Sequence, residues 1–402
     1  MRHMKASAGN HKSVLIIVEN LPCPFDRRVW QEARALTEAG YAVSIICPKG
    51  KGFDAREEVL EGIRIFRHPA PFEADGMLGY VLEYGFAFIW EALLTLKVAR
   101  RHGFDVIHAC NPPDTIFLIG AFWKLFGKKF IFDHHDINPE LFEVKFGKRG
   151  WLYSLTRMLE RLSFRTADVS IATNDSYKRI AIERGGMPPE DVFVVRSGPD
   201  VERLKPAPPD PTFRHGRTYL VGYVGVIGKQ EGIDYLLRSI EYIVYTIGRR
   251  DIQFCVIGGG TELDAMRRYA AQLRIEEFVT FTGRVSDVVL VAALSTADIC
   301  VNPDPFNEMN DKSTMNKIME YMALGKPIVQ FDMTEGRYSA GASAVYAKRN
   351  DERDFADKII DLLSDGPARE RMASVGLRRV SEHLAWHHQV PQLLAAYDRA
   401  FR

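Results

Sequence analysis

Short apolar runs alternate with longer helical patterns along this chain, and that alternation restricts the fold to one class. The runs at residues 14–18, 42–47, 63–67, 105–110, 130–133, 169–172 and 192–195 are nearly uninterrupted in apolar side chains. Helical spacing fills most of the intervals, as over 27–39 and 115–126. Strands without polar alternation are buried on both faces, and their alternation with helices builds a parallel sheet between two helical layers. The rhythm breaks at Lys205-Pro206-Ala207-Pro208-Pro209-Asp210-Pro211, where four prolines in seven residues exclude a helix or a central strand and read as a linker. It restarts with runs at 220–224, 254–257, 279–281, 299–301, 328–331 and 344–346, and with helical patterns at 232–245, 262–273 and 313–324. The expectation is an α/β protein of two Rossmann-like domains, over 1–204 and 205–385, followed by an amphipathic C-terminal helix over 386–402 that can return to the first domain. Doubly wound sheets bind ligands at the carboxyl ends of their strands, so the site is expected in a cleft between the domains.

Composition narrows the function by exclusion. With 402 residues and a net charge of +1, the chain lacks the bulk basic field of a nucleic-acid binder. The cysteines, Cys23, Cys47, Cys110, Cys255 and Cys300, are scattered with no C-x-x-C pair, which argues against a disulfide framework or a zinc site and for a reducing compartment. The first dozen residues are polar and lack the apolar core of a signal peptide. No uncharged apolar run reaches the roughly 20 residues that a membrane span needs. A cytoplasmic protein is expected.

Three segments carry chemistry. Gly225-Val226-Ile227-Gly228-Lys229-Gln230-Glu231-Gly232 follows the first strand of the second half. Its glycines let backbone approach a ligand, the next helix N-terminus offers free N–H groups, and Lys229 can face a diphosphate; a tight turn with an exposed lysine is the plainer alternative. Gly258-Gly259-Gly260-Thr261-Glu262 is a second strand-to-helix turn, equally readable as ligand approach or as a sharp corner. In 310–327, Ser313 is expected to cap a helix ending at Gly325, with Met315, Ile318, Met319 and Met322 on its core face. Lys317 and Glu320 then share a helix side, where Glu320 can accept two ribose hydroxyls or can form an ordinary surface pair with the lysine.

Several strings together resemble one family. They are Asp26-Arg27-Arg28-Val29-Trp30-Gln31-Glu32-Ala33, Asp105-Val106-Ile107-His108 and Phe132-Asp133-His134-His135-Asp136-Ile137-Asn138-Pro139-Glu140 in the first half. In the second half they are Val224-Gly225, Gly258-Gly259-Gly260, Phe281-Thr282-Gly283-Arg284-Val285 and Lys317-Ile318-Met319-Glu320-Tyr321-Met322-Ala323-Leu324-Gly325-Lys326-Pro327. The chain resembles glycosyltransferase family 4, the retaining, nucleotide-sugar-dependent transferases of the GT-B fold. The resemblance implies that Glu320 holds the ribose, that Gly225, Gly228, Lys229, Gly258, Gly259 and Glu262 line the nucleotide and diphosphate, and that Arg284 and Val285 lie beside the base. Ser313, Thr314 and Lys317 complete the expected donor side. His135 matches the family histidine near the transferred sugar, and it is paired here with Glu320 as the catalytic expectation. Two departures stand out: Val226 and Glu231 replace an arginine and a lysine usual in the family, and Lys312 replaces a glutamate. The diphosphate is then left to Lys229, Lys312 or Lys317.

Asp26, Arg27, Arg28 and His108 are the expected acceptor-binding residues, although a helix start explains the first three equally well. No carboxylate cluster has convincing metal-ligand spacing, so neither metal nor cofactor is expected beyond a nucleotide-sugar co-substrate, with a UDP-sugar favoured. The aromatic and basic stretches at 78–101 and 122–129 fit a lipid-linked acceptor and a peripheral contact with the inner membrane leaflet, or simple core packing. The expected activity is transfer of a sugar to a glycan or lipid-linked glycan in surface-polysaccharide assembly. A non-hydrolysing UDP-sugar epimerase and a non-catalytic nucleotide-sugar-binding protein are the alternatives.

Overall fold

The structure, a computed structural model, describes residues 12–70, 76–147 and 149–402, so the polar stretch before Lys12 lies outside it. The chain forms two compact units, one of residues up to Val195 together with Val390–Arg402, the other Arg196–Gln389. The first unit holds β1 (Ser13–Val18), β2 (Ala42–Pro48), β3 (Glu57–Leu60), β4 (Ile63–His68), β5 (Val106–Cys110), β6 (Lys129–His134), β7 (Val169–Ala172) and β8 (Val192–Val194) in one sheet of order β3-β4-β2-β1-β5-β6-β7-β8. Every pairing is parallel except that of β3 with β4. The second unit holds β9 (Tyr219–Val224), β10 (Ile252–Ile257), β11 (Val279–Gly283), β12 (Ile299–Asn302), β13 (Ile328–Phe331) and β14 (Ala344–Ala347), all parallel, in the order β11-β10-β9-β12-β13-β14.

The apolar runs become the central strands because both of their faces are covered. Leu15, Ile16 and Ile17 of β1 have no exposed surface, and burying each such side chain contributes roughly 1.5–3 kcal/mol. Strand β3 escapes the sequence reading, since Glu57-Glu58-Val59-Leu60 carries charge at an exposed edge and has no apolar run. The helix Arg27–Glu38 starts where Asp26 Oδ1 accepts from the Val29 amide, and it buries Val29, Ala33 and Leu36 against the sheet.

Two segments differ from expectation. The proline run at 205–211 lies within the second unit, and the chain passes between units upstream of it, at Val195–Arg196. The run is docked, because the Ala207 and Asp210 amides donate to Ser295 Oγ and Thr296 Oγ1 at the end of the helix Asp287–Thr296. The helical pattern expected over 313–324 is interrupted. A short helix, Glu308–Lys312, precedes a separate helix, Asn316–Ala323, and Met315 occupies the N-cap position. Ser313 is therefore the C-cap of the first helix and not the N-cap of the second, and its hydroxyl donates back to the Met309 carbonyl. Gly325 does end the second helix in the left-handed conformation, at φ +65°.

Candidate active site

In each sheet a central strand has neighbours that run on in opposite topological directions: β1 lies between β2 and β5, and β9 lies between β10 and β12. The carboxyl ends beside these strands are where doubly wound folds hold ligands. Both edges carry buried charge.

In the first unit the network centres on Asp133, near the end of β6 and fully buried. Arg28 Nη2 lies 2.9 Å from Asp133 Oδ1 and 3.1 Å from Glu32 Oε1, and Nη1 donates to the Val195 carbonyl at 2.8 Å. His135 Nε2 lies 2.6 Å from Asp133 Oδ2, and His108 Nε2 lies 3.2 Å from the same oxygen. The other His108 nitrogen, Nδ1, meets the Tyr397 hydroxyl at 2.7 Å, and this tyrosine is brought by the final helix, Trp386–Ala400. Burial would raise the Asp133 carboxyl, but Arg28 and His135 outweigh it and hold the group well below the usual carboxylate range. Burial also dominates at Glu32, which is pushed well up despite Arg28, and at His108, which is pushed down. The network thus keeps an ionised aspartate against an arginine, with a neutral glutamic acid and a neutral histidine beside them. His135 Nε2 is thus held between Asp133 Oδ2 at 2.6 Å and Arg28 Nε at 3.0 Å. The His135 side chain is 15% exposed and its amide donates to Asn111 Oδ1 at 2.7 Å, so both ring and backbone are fixed at the edge.

Three of the four residues expected at the acceptor are buried. His108 is wholly buried, Arg28 is spent on Asp133, Glu32 and Val195, and Asp26 is the buried cap of its helix. Arg28 and His108 set the charge and orientation of Asp133 and His135, and neither presents a free face to a ligand. Arg27, between Asp26 and Arg28 in sequence, is exposed.

In the second unit the two glycine turns lie against each other. The Ile227 amide donates to the Gly259 carbonyl, and the Glu262 amide donates to the Ile227 carbonyl, both at 3.0 Å. A Cβ on Gly258, at φ +141°, would sit 1.8 Å from the Gly225 carbonyl oxygen, and one on Gly260 would sit 2.3 Å from that of Ile227. Backbone-to-backbone approach therefore demands these glycines whatever else the turns hold. Gly259 differs, because its nearest neighbour is Arg284 at 4.0 Å. Gly225, Gly228 and Glu262 are half-buried along the paired turns, Val285 follows the end of β11 in the same state, and Arg284 is exposed.

Lys317 is the centre of the second charged cluster. Its Nζ lies 2.7 and 2.9 Å from the two Asp304 oxygens and 3.0 Å from Glu231 Oε2. One cation thus serves two carboxylates. Burial pushes the Asp304 carboxyl up to about 7 against the pull of Lys317, while the carboxylates hold the lysine charged. Lys312 is paired with Glu308 at 2.7 Å. Of the three lysines expected at a diphosphate, Lys317 is a buried ion-pair partner and Lys312 a surface one; Lys229 is exposed on the turn. The Glu231 departure now has a structural reason, since a lysine there would face Lys317.

Glu320 is one turn beyond Lys317 and is held by Arg203, whose Nη2 lies 2.9 Å from Oε1 and whose Nη1 lies 3.3 Å from Asp287 Oδ2. Thr314 lies half-buried in the break between the two short helices. Tyr321 uses its hydroxyl to donate to the Val301 carbonyl and accept from the Val224 amide, tying β9 to β12 past the end of their pairing at Cys300 and Gly222. Sequence reasoning missed Arg203, Asp304 as a lysine partner, Tyr321 as a strand tie and Tyr397. These lie outside any periodic signal for the role, and only Asp304 carries a hint, as an acid just past a strand.

Comparison with known proteins agrees with this geometry. The family described as Glycosyltransferase Family 4 matches residues 26–203, and that described as Glycosyl transferases group 1 matches residues 218–365. A glycogen synthase of Mycobacterium tuberculosis is 24% identical over 382 residues, covering 90% of this chain and 87% of the relative. A D-inositol 3-phosphate glycosyltransferase of Stackebrandtia nassauensis is 25% identical over 396 residues, with 93% and 86% covered. Among solved structures, sucrose-phosphate synthase from Thermosynechococcus elongatus superimposes with a TM-score of 0.76 at 18% identity, covering 97% of this chain and 99% of that one. Anabaena HepE in complex with UDP gives a TM-score of 0.69 at 15% identity, with 96% and 99% covered. Both sheets are thus those of the GT-B fold.

Proposed function

We propose that this chain, which belongs to glycosyltransferase family 4 and is a glycosyltransferase enzyme, moves a hexose with retention from a nucleotide-diphosphate donor, a UDP-sugar before others, to a glycan or lipid-linked glycan. The observation that carries the donor assignment is Glu320. Its carboxylate is partly open and is oriented by Arg203, on the helix whose Lys317 closes against the Gly225 turn. A carboxylate so held accepts the two ribose hydroxyls without first being ordered. Gly225, Gly228, Gly258, Gly259, Glu262, Arg284, Val285, Ser313 and Thr314 are the proposed surround of the nucleotide. The N–H groups of the Gly225–Lys229 turn and the exposed Lys229 receive the leaving diphosphate. Lys317 is proposed to act there as a charged ammonium already paired with Asp304 and Glu231.

His135 is proposed to face the transferred sugar, held in place by Asp133 and Arg28. The leaving phosphate itself takes the acceptor proton, so no separate base is assigned, and Arg27 is the proposed acceptor contact. Transfer is proposed to need no metal. In support, none of the groups of His, Cys, Asp and Glu with metal-holding proximity among the described residues includes a proposed donor residue. A lipid-linked acceptor at the cytoplasmic leaflet is supported by Leu118, Phe122, Leu125 and Phe126, all exposed and adjoined by Lys128. No described helix is long and apolar enough to cross a membrane.

The test is thermal-shift binding of UDP, GDP, ADP and CDP, with and without EDTA, to the wild type and to Glu320→Ala. A saturable rise with UDP, unchanged by EDTA and lost in the variant, supports the donor side. No rise with any nucleotide refutes it, a preference for another nucleotide corrects the base, and a rise that EDTA abolishes overturns metal independence.

A further inference from the structure

A separate ionisable cluster in the first unit takes no part in the Asp133 network. Glu19 stands just past the end of β1, His68 ends β4, and Glu91 comes from the middle of the helix Gly76–Arg101. The three are 5%, 1% and 0% exposed. One ligand-type atom from each lies within 4.8 Å of the other two. His68 Nδ1 is 2.9 Å from the Pro69 carbonyl oxygen, which places a proton on Nδ1. The other ring nitrogen, Nε2, faces Glu19 Oε2 at 2.9 Å. A ring nitrogen and a carboxylate oxygen at this distance share either a proton or a metal ion.

A second observation points the same way. Both oxygens of Glu91 and Oε1 of Glu19 are buried without a hydrogen-bond partner, and Glu19 Oε2 and His68 Nε2 have only each other. Leaving a buried carboxylate without a donor is costly, the more so for a charged group. Proximity and unsatisfied carboxylate oxygens thus converge on one polar focus. The chemistry of the donors is one imidazole nitrogen and two carboxylates, a set that suits zinc-type divalent transition metals. A tetrahedral ion with bonds near 2.1 Å spaces its ligand atoms about 3.4 Å apart, so small side-chain shifts suffice. The Pro69 carbonyl on the opposite ring nitrogen is the support that ligating histidines normally have.

We propose that Glu19, His68 and Glu91 form a divalent-cation site of zinc type that ties the carboxyl ends of β1 and β4 to the long helix Gly76–Arg101. The site fixes structure. It shares no residue with the donor side or with the Asp133 network, and so it is compatible with metal-independent transfer.

The experiment strips the full chain with chelator and then titrates it with Co2+ and Zn2+. Metal content is read by mass spectrometry, cobalt binding by visible absorption, and the Zn2+ effect on Tm by calorimetry. The expected result is about one ion per chain, a higher Tm with Zn2+, and at least ~10-fold weaker binding in Glu91→Gln and in His68→Gln. Asp133→Asn should bind as the wild type does. The wild-type cobalt spectrum should show d–d bands without a thiolate charge-transfer band, a readout that stands even if a variant fails to fold. No saturable binding by the wild type overturns the proposal and leaves a cluster that holds protons. Binding lost in Asp133→Asn but kept in Glu91→Gln, or a thiolate band, assigns the ion to the Asp133 side with Cys110 and overturns it equally.

Discussion

Replacing Lys317 by methionine is the sharpest test of how the second unit balances its charge. Methionine keeps most of the apolar stem, so the change removes a cation and leaves only a small cavity. The lysine ammonium lies 2.7 Å from Asp304 and 3.0 Å from Glu231, and Asp304 is 1% exposed. Removing one partner of a buried pair leaves an uncompensated charge, which costs about 3–5 kcal/mol. For a unit of this size each kcal/mol lowers Tm by roughly 2–4 °C, so the expected drop is about 6–20 °C. The deficit should depend on pH in a definite sense. Asp304 in the folded chain titrates at about 7, above its ordinary 3.8. A carboxyl raised in this way contributes stability below its unfolded value and loses that contribution as pH rises through 7. Without Lys317 it rises further, so the Lys317→Met deficit should be level below pH 7 and should grow by up to about 1.4 kcal/mol per pH unit above it. Lys317→Met with Asp304→Asn should recover most of the loss, because the orphaned charge is gone. Denaturation at pH 5, 7 and 8 reads all three quantities. A deficit below about 1 kcal/mol at pH 8, or one that is flat with pH, would refute the buried-pair account.

Gly258→Ala should destabilise severely or abolish folding, because its Cβ would meet the Gly225 carbonyl oxygen at 1.8 Å with φ at +141°, whereas Gly259→Ala should fold normally and can affect only nucleotide binding. Denaturant midpoints of the pair separate turn packing from ligand approach. Arg203→Leu should weaken nucleotide binding by about 10-fold through loss of Glu320 orientation, with less effect on kcat than on KM. Equal nucleotide affinity in that variant would show that Glu320 needs no positioning. Leu125→Glu with Phe126→Glu should reduce co-sedimentation with anionic vesicles while leaving Tm within about 1 °C, since both side chains are exposed. His108→Leu should shift the pH profile of kcat through Asp133, whereas a role confined to packing would lower Tm and leave the profile in place.

The strands were legible because each is an apolar run between turn signals, and β13, for instance, occupies 328–331 as read. The edge strand β3 was not, since pairing at an exposed edge needs no apolar run. Glu320 and His135 were singled out as candidates through resemblance to a family. Their neighbours were not, because a side chain's partner lies far away in the chain: Arg203 and Glu320 are 117 positions apart, and His108 and Tyr397 are 289.

By itself the sequence determined the alternation of strand and helix, the two sheets it implies, and the glycines at strand ends where backbone must pass close. Only the tertiary structure decided what the charged residues do. Lys317, which sequence places at a diphosphate, is drawn into a buried pair with Asp304 and Glu231. Arg28 and His108, which sequence offers to an acceptor, are consumed in holding Asp133 and His135. The proline run, which composition makes a spacer, is fastened by two amide hydrogen bonds to a helix end. The physical reason is common to all three. Burial of apolar surface is additive along the chain and shows in local pattern, whereas a buried charge is stable only beside a partner that the fold must bring to it.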